Sequence, residues 1–566
     1  MFLFDIFRSF LPLHNPIGFG ASDFVEFALV TLLVLLVPLR ARIEPAARRF
    51  AERTGWCMLL LFALPVVLRL ALLPHFPVPT PGGADDYSYL LLADTLRHFR
   101  LANPMHPMHR FFETVFVLQE PAYASIYSPG QGLVLAIGWN LFGHPWAGVV
   151  LGVAAFCSLC YWMLRGWTSP GWALAGGLLA VCEFGPLNEW MNIYWGGAVT
   201  AAAGCLVFGS LPRLRQCWRQ RDAVLLGLGL GMHLLTRPYE SIFLALSVIL
   251  YFRPLLWQRT EWKKLAQTAG AVALVVLPAI ALTLAQAKAV TGSWTTIPYA
   301  HSRYQYGVPT TFTWQPSPEP HRELTTQQTL TYLGQSEAHG NEPETFGRYL
   351  ERWGCRLRFY RFFFLAPLYV AMPFFVLRRK ESRLGWVAGT ILLFSLGTNF
   401  YPYFFPQYVA GLTCLFVVVA IAGLQKLSGI SAEAARWIVL LAAAHFLFWY
   451  GMHAWGNENI FLAMRPYETW DFVNFGDPEE RAGIAKRLEE IPGKKLVFVR
   501  YGPQHRFREW IHNAANIDAS PVVMALDLGP ENDELRRYCP DRSIWLLEPD
   551  ARPVRLVEYS SLHESR

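Results

Sequence analysis

The amino-acid sequence predicts an α-helical polytopic membrane protein with about twelve spanning helices, followed by a small extracytoplasmic α/β domain at the C-terminal end. Three observations lead to this fold class. The 566 residues are 53% hydrophobic and only 16% charged, whereas soluble globular proteins carry about a quarter charged residues. Long apolar runs recur along most of the chain. The basic residues cluster in short connections between these runs, which argues against nucleic-acid binding as the reason for the net charge of +7.

The apolar runs supply the crossings. A helix needs about 20 apolar residues to cross the hydrocarbon core, and somewhat fewer where a neighbour shortens the path. The predicted spans lie near 24–40, 56–73, 146–164, 172–186, 197–211, 223–236, 240–252, 267–288, 360–377, 384–398, 406–424 and 437–455.

The distribution of arginine and lysine predicts the orientation of these spans. Basic residues follow the odd-numbered spans, whereas the connections 186–196 and 399–405 contain no Lys or Arg. Basic connections face the cytoplasm, so three large segments are predicted outside: the loops 74–145 and 289–359 and the tail 456–566. If the apolar run at 131–142 also crossed the membrane, basic connections would fall on both sides. We therefore predict that it is a helix lying flat in the outer interface.

The chain thus divides into an N-terminal segment with the first span (1–55), a membrane domain (56–455) and the outer tail (456–566). The tail alternates strand and helix patterns, which favours a mostly parallel sheet. Two cysteines, Cys355 and Cys539, fall in predicted outer segments, where a disulfide between them is possible. The predicted tail elements are strands at Leu496–Arg500, Val522–Leu526 and Ser543–Leu547 and helices at Phe507–Ala515 and Asn532–Tyr538.

An acidic pair opens the first outer loop. Asp85 and Asp86 follow a Pro/Gly turn close to the end of the second predicted span. A carboxylate at this position can accept a proton from an attacking hydroxyl, and two neighbouring carboxylates perturb each other's pKa. The alternative is that Asp85 caps the helix that follows, at Tyr87–His98. The pair could also hold a divalent cation through its oxygens.

Two charged residues are predicted at membrane depth. Glu183 lies near the outer end of an apolar run, and Arg237 joins two runs too short to cross the whole core. Charges at this depth are costly and usually face a cavity or a partner. Arg237 is therefore a candidate anion site, because its guanidinium matches phosphate. The alternative is a structural ion pair with Glu240 or Glu183.

Polar and aromatic residues near the predicted outer surface are candidates for substrate binding. They combine hydroxyl, amide, imidazole and aromatic groups that suit a sugar, and Arg303 among them offers a second phosphate contact. Besides Glu183, the candidates are Tyr127, Gln131, Asn192, Tyr194, His301 and Tyr304.

The arrangement resembles the GT-C class of membrane glycosyltransferases, and within it the group of protein O-mannosyltransferases and bacterial aminoarabinose transferases (glycosyltransferase family 39-like). The stretch from Asp85 to Trp146 carries most of the resemblance, with Tyr127-Ser128-Pro129-Gly130-Gln131-Gly132 at its centre. The resemblance implies that Asp85 is the catalytic base, with Asp86 beside it. Ile126 and Ser128 depart from the usual turn, which shifts lipid-phosphate binding to Arg237 and Arg303.

The resemblance also implies the reaction. A hexosyl or pentosyl group passes from a polyprenyl-phosphate donor to a protein, lipid or polysaccharide acceptor on the outer face of a bacterial plasma (inner) membrane. No cofactor is expected, with a divalent cation left open. Two other functions stay possible: a lipid-linked sugar transporter or flippase, and a non-catalytic glycan-assembly subunit. A transporter typically shows repeated halves, and the sequence shows none.

Overall fold

The computed structural model describes residues 28–29, 31–33, 40–340, 342–378, 381–455, 480–503, 505 and 508–559. Most of the predicted first span near 24–40 and the junction 456–479 lie outside the described residues.

Helices build most of the described membrane part. In chain order they are α1 (Arg40–Ala51), α2 (Thr54–Ala71), α3 (Ala84–Arg97), α4 (Pro129–Phe142), α5 (Trp146–Leu164), α6 (Pro170–Phe184), α7 (Glu189–Asn192), α8 (Ala198–Cys217), α9 (Gln220–Thr236), α10 (Pro238–Leu256), α11 (Trp262–Thr291), α12 (Pro298–Tyr306), α13 (Thr326–His339), α14 (Phe346–Leu357), α15 (Met372–Arg378), α16 (Ser382–Thr398), α17 (Thr413–Ile430) and α18 (Ala432–Trp455).

Several of these helices are apolar enough for a bilayer. Five stretches in the described residues have the length and composition to cross a membrane: Thr54–Ala71, Trp146–Leu164, Trp262–Thr291, Pro406–Ile430 and Ala432–Gly451. A sixth results if Phe346–Phe363 and Ala366–Arg378 count as one span, although these pieces meet at 114°. The predicted span near 360–377 is therefore not one straight helix. The total of about twelve spans stays a prediction.

Helix α4 corresponds to the run predicted to lie flat in the outer interface. Pro129 stands in its first turn, where the missing N–H costs nothing, and Gly143 ends it in the left-handed conformation with φ 77°. Gly138 lies so close to Gly148 of α5 that a Cβ would stand 2.1 Å from the Gly148 nitrogen. Glycine at this crossing lets α4 lie directly against α5.

A small antiparallel sheet follows α3 in the first outer loop. Its strands β1 (Asn103–Pro104), β2 (Val117–Leu118) and β3 (Ala122–Ser125) are ordered β1-β3-β2. The Ser88 hydroxyl on α3 donates to the Phe116 carbonyl at 2.7 Å and lies 2.7 Å from the Ser125 hydroxyl. These bonds fix the sheet against α3, so the loop has a rigid inner face.

The tail contains the predicted sheet. Its strands are ordered β5-β4-β6-β7, with β4 parallel to both β5 and β6 and the added β7 antiparallel to β6. The three predicted strands are thus confirmed, as is the second predicted helix. The tail elements are α19 (Arg481–Glu490), β4 (Lys494–Val499), β5 (Val522–Leu526), α20 (Asn532–Tyr538), β6 (Arg542–Glu548) and β7 (Arg555–Glu558).

The predicted helix at Phe507–Ala515 is wrong for its described part, because residues 508–514 are not helical. Hydrogen bonds to other parts of the chain hold this segment instead. The Asn513 amide donates to the Met524 carbonyl at 2.8 Å and accepts the Met524 N–H at 2.9 Å. The Ala515 N–H donates to the Asp94 carboxylate at 2.6 Å. The segment is thereby held between the tail sheet and α3.

The tail packs on the first outer loop. One apolar cluster joins Phe111, Phe112 and Tyr123 of the loop to Leu496 and Phe498 of the tail sheet. The predicted disulfide partners are both free thiols, Cys355 exposed and Cys539 buried.

Candidate active site

A cavity of about 290 Å³ lies where the first outer loop, the α9–α10 junction, the second outer loop, the 399–408 segment and the tail meet. Nine of its lining residues are aromatic, and their low polarity strengthens electrostatic interactions inside the cavity. The aromatic lining residues are Tyr89, Phe116, Tyr127, Trp195, Tyr299, Tyr401, Tyr403, Phe405 and Tyr408.

Asp85 faces this cavity from the first turn of α3. The Tyr127 hydroxyl donates a hydrogen bond to its carboxylate, and the Tyr127 ring stacks on Tyr89 with 4.3 Å between centroids. Burial raises the pKa of Asp85 to about 6, although the Tyr127 bond and the charge of Arg237 oppose the rise. Asp85 is therefore an oriented carboxylate whose protonation changes close to neutral pH, which suits a general base.

Asp86 has a different place. Its Oδ2 accepts the N–H of Gly82 at 3.2 Å and of Gly83 at 3.4 Å, and its Oδ1 accepts the N–H of Tyr194 at 3.0 Å. The helix-capping role considered for Asp85 thus falls to Asp86, and α3 begins three residues earlier than expected, at Ala84. Asp86 is not among the residues that line the cavity. It fixes the turn that presents Asp85.

Arg237 reaches the cavity from the junction of α9 and α10. Its guanidinium lies over the Tyr408 ring at 4.7 Å, and its NH1 stands 3.9 Å from the Glu240 carboxylate. None of the described residues accepts a hydrogen bond from this guanidinium. The distance to Glu240 is at the upper limit for an ion pair, so that alternative is weakly satisfied. The N–H donors of the Arg237 guanidinium are therefore available to an anion.

Arg303, His301 and Tyr304 of the second outer loop lie outside the cavity lining. Arg303 donates to the carbonyls of Pro309 at 3.3 Å and Thr310 at 3.2 Å. His301 lies 3.1 Å from the Gln305 amide, and the exposed Tyr304 stacks on His321. Helix α12 therefore uses these side chains to shape the loop.

The remaining sequence candidates also lie outside the lining. Gln131 donates to the Tyr194 carbonyl at 2.8 Å, and the Tyr194 hydroxyl donates to the Pro79 carbonyl at 2.8 Å. The buried Asn192 accepts from Arg69 at 3.0 Å. Glu183 is half-buried near the end of α6. Most of these contacts join the 186–196 connection to the segments that carry Asp85.

Besides most of the aromatic wall, two groups of polar lining residues escaped the sequence prediction. One is a row on α13, formed by Gln327, Thr331 and Gln335. Its spacing of four residues is visible in the sequence, since such residues share a helix face. The other group comes from the tail: His505, Arg508 and Glu509. No local pattern links these to residues 400 positions away.

Glu509 is held firmly at the cavity edge. Its Oε1 accepts the Tyr501 hydroxyl and the backbone N–H groups of Trp510 and Ile511, both at 3.1 Å. Its neighbour Trp510 packs under the Arg481 guanidinium, which also donates to the Tyr87 hydroxyl at 2.8 Å. The tail thus reaches the cavity through contacts that also attach it to α3.

Asp86 offers a cation little, because its oxygens are already engaged. Both Asp86 oxygens accept backbone N–H groups, whose positive ends would repel a cation, so one carboxylate is left. In the part of the chain that the structure describes, no three His, Cys, Asp or Glu side chains come together as a metal-binding group. The loop histidines are engaged elsewhere, His106 near Asp518 at 3.1 Å and His109 near Glu120 at 3.4 Å.

Comparisons with known proteins place this geometry on a known fold. No family model matches the chain, and the curated proteins contain no match. Among solved structures, ArnT from Cupriavidus metallidurans in the apo state is similar with a TM-score of 0.50 and 12% identity, over 88% of this chain and 93% of ArnT. ArnT bound to undecaprenyl phosphate gives 0.49 and 11% over the same shares.

The oligosaccharyltransferase from Archaeoglobus fulgidus, in complex with Zn and sulfate, gives a TM-score of 0.45 and 11% identity over 86% of this chain and 67% of that chain. The likeness to apo ArnT extends over nearly the whole of both chains. At the level of the fold, the resemblance to the GT-C membrane glycosyltransferases is therefore confirmed.

Proposed function

We propose that this protein is a membrane glycosyltransferase that moves a sugar from a polyprenyl-phosphate donor to an acceptor hydroxyl on the outer face of the membrane. The observation that carries the proposal is the meeting of Asp85 and Arg237 in one aromatic cavity. The first is a carboxylate oriented by Tyr127, and the second is a guanidinium whose donors are unused by the described residues. A base and an anion site so placed suit group transfer away from a phosphate.

Asp85 acts on the acceptor. Its carboxylate takes the proton of the acceptor hydroxyl as the hydroxyl oxygen attacks the anomeric carbon of the sugar. The new carbon–oxygen bond forms while the bond between the anomeric carbon and the phosphate oxygen breaks. The electron pair of that bond leaves with the lipid phosphate. Tyr127 keeps the Asp85 carboxylate aimed by its hydrogen bond, and Asp86 keeps the α3 turn in place.

Arg237 acts on the donor. Its guanidinium binds the phosphate and stabilises the charge that the phosphate gains as the sugar departs. Its position at the junction of α9 and α10 allows a lipid to bring its phosphate from the membrane side. The lipid phosphate is of the kind that ArnT binds, undecaprenyl phosphate. The basic connections support a reaction on the extracytoplasmic side, and the family resemblance implies a bacterial inner membrane.

The experiment that tests this function is transfer from a panel of radiolabelled polyprenyl-phosphate sugars by purified protein in the presence of membrane acceptors. Wild type should move label from the lipid, and Asp85→Asn should not. Glu337→Gln is the matched control, because Glu337 is an exposed acid on α13. Full transfer by Asp85→Asn would contradict the base. Lipid binding without transfer from any donor would favour a non-catalytic assembly subunit.

A further inference from the structure

Helix α13 presents a row of uncharged polar side chains to the cavity. Gln327, Thr331 and Gln335 are each four residues apart, and all three are buried and line the cavity. Residues at this spacing lie one above the other on a helix face. The cavity is therefore lined on this side by amide and hydroxyl groups. A buried helix face is usually apolar, so this polar face is unusual. We call these three residues the amide face.

Gln327 is the member of the amide face with the most unused capacity. Gln327 is 8% exposed, and among the described residues neither its Nε2 nor its Oε1 has a hydrogen-bond partner. Burying an amide donor without a partner is unfavourable, and such groups in native proteins call for an explanation. A ligand group that accepts from Nε2 provides one.

The two other members of the amide face keep part of their hydrogen-bonding capacity for a ligand. The Thr331 hydroxyl donates to the Gln327 carbonyl at 2.9 Å, and its oxygen can still accept. Gln335 Oε1 accepts the N–H of Thr310 at 2.8 Å, which leaves the amide NH₂ group free to donate. The amide face therefore offers donors and acceptors side by side. A sugar hydroxyl, which both donates and accepts, matches that combination.

The amide face is rigid. Thr325 and Gln328 close the start of α13, with Gln328 N–H to Thr325 Oγ1 at 3.2 Å and Thr325 N–H to Gln328 Oε1 at 3.0 Å. Gln328 also donates to Glu113 of the first outer loop at 3.0 Å. At the other end, the Tyr403 hydroxyl donates to the Gly334 carbonyl at 3.2 Å. A face fixed at both ends can select among ligands by geometry.

The amide face is separated from Arg237 by a row of tyrosines. Arg237 lies over Tyr408, the Tyr408 and Tyr401 rings are 5.8 Å apart, and the Tyr401 and Tyr403 rings are 6.5 Å apart. Tyr403 then contacts α13 at Gly334. A donor whose phosphate binds Arg237 therefore has an aromatic wall beside it and uncharged hydrogen-bonding groups beyond.

We propose that the amide face binds the hydroxyl groups of the donor sugar and sets which sugar is transferred, with Gln327 making the main contact. This inference rests on the proposed function and assigns the sugar-binding part of the same cavity. The sugar that it selects is hydroxylated and uncharged where it meets α13, because the amide face carries no ionised group. Specificity of this kind is strong, since a sugar that lacks the matching hydroxyl leaves the amide unpaired.

The test compares Gln327→Leu with wild type, using the lipid-linked sugar that wild type transfers and, separately, undecaprenyl phosphate that carries no sugar. We expect kcat/KM for the sugar donor to fall about tenfold to a hundredfold, with Kd for undecaprenyl phosphate unchanged. Thr326→Val on the exposed side of α13 is the matched control and should keep wild-type kinetics. Gln327→Asn, which keeps a shorter amide, should fall in between.

Donor analogues that each lack one hydroxyl keep the test decisive even if Gln327→Leu does not fold. Wild type should discriminate strongly against at least one analogue, and Gln327→Asn should discriminate less. Equal transfer of all analogues by wild type overturns the inference, as does an equal loss of undecaprenyl phosphate binding in Gln327→Leu. Absence of any transfer by wild type contradicts the proposed function itself, whereas transfer that is indifferent to Gln327 contradicts only the sugar-binding role.

Discussion

At the scale of single residues, the two neighbouring acids show how one backbone step separates two roles. Asp85 points into the cavity and meets Tyr127, whereas Asp86 accepts three backbone N–H groups and holds the turn. The sequence singles out the pair but not this division, because it depends on where Tyr194 and Tyr127 arrive in three dimensions. Burial then gives Asp85 a pKa of about 6.

Transfer should depend on pH through this carboxylate. A base must be unprotonated, so kcat/KM should be level above pH 6 and fall about tenfold per pH unit below it. The phosphodiester of a polyprenyl-phosphate sugar has no group that titrates in this range. Initial rates of label transfer between pH 4.5 and 8.5 check the prediction, and a profile that stays flat down to pH 4.5 would contradict it.

The same shift predicts a gain in stability for Asp85→Asn. The folded pKa of about 6 exceeds the ordinary value of 3.8, so the folded state binds the proton more tightly and wild type loses stability as pH rises through this window. One pKa unit corresponds to about 1.4 kcal/mol, so at pH 8 the free energy of unfolding of Asp85→Asn should exceed that of wild type by about 3 kcal/mol. The gain should vanish near pH 4. Thermal melting of detergent-solubilised protein at both pH values measures the difference.

Arg237→Gln should lose the lipid phosphate. Removing a charge-assisted, bidentate contact to phosphate weakens binding by about tenfold or more, since such bonds contribute about 1.5–3 kcal/mol each. Binding of undecaprenyl phosphate to purified protein reports the loss. Arg303→Gln is an informative companion, because Arg303 bonds carbonyls outside the cavity lining. If both variants lost binding of undecaprenyl phosphate equally, Arg303 would also belong to the phosphate site.

At the scale of helices and strands, the sequence predicts best those elements whose bounds are set by neighbouring residues. The strand at Val522–Leu526 and the helix at Asn532–Tyr538 have their predicted bounds, because a short apolar run and a short charged helix are both recognisable within a few residues. The 508–514 segment was mispredicted as a helix, since Asn513 and Ala515 are bonded by Met524 and Asp94 from elsewhere in the chain. The 360–377 run is broken between Phe363 and Ala366 despite its apolar composition.

One buried ion pair joins the two outer loops and should stabilise them together. Arg322 donates to Glu113 at 2.8 Å, and the Tyr306 hydroxyl donates to the same carboxylate at 3.0 Å. Arg322→Gln leaves a buried carboxylate without its cation and should cost about 3 kcal/mol of unfolding free energy. Arg348→Gln breaks an exposed pair with Glu342 and should cost less than about 1 kcal/mol. Similar melting of both variants would contradict the structural role of Glu113.

At the scale of the whole molecule, the cavity is a meeting of distant segments. Its lining runs from Gly83 through Arg237 and the amide face to Glu509. Asp85, Tyr127 and Arg237 could be predicted from the sequence because each stands out locally. Asp85 belongs to an acidic pair, Tyr127 to a turn, and Arg237 is a charge between two apolar runs. The tyrosine wall and the tail residues have no such local mark, since only tertiary packing brings them to the cavity.

Attachment of the tail should therefore matter for transfer. The Arg481 guanidinium lies over the Trp510 and Tyr87 rings and donates to the Tyr87 hydroxyl. Arg481→Met removes these contacts and the hydrogen bond from Arg481 to the Glu509 carbonyl, although Arg481 itself does not line the cavity. We expect faster proteolytic cleavage of the tail and a severalfold loss of transfer, with undecaprenyl phosphate still bound. Arg536→Met on the tail surface is the control, and unchanged transfer in Arg481→Met despite faster cleavage of the tail would contradict a role for this attachment.

The spread of the lining along the chain has a consequence for biosynthesis. Glu509 leaves the ribosome more than 400 residues after Asp85. A nascent chain that has inserted its early helices therefore holds the base long before it holds the complete cavity. On the proposed function, transfer should therefore begin only after the tail has been made, and a chain truncated before residue 505 lacks the tail's share of the cavity lining.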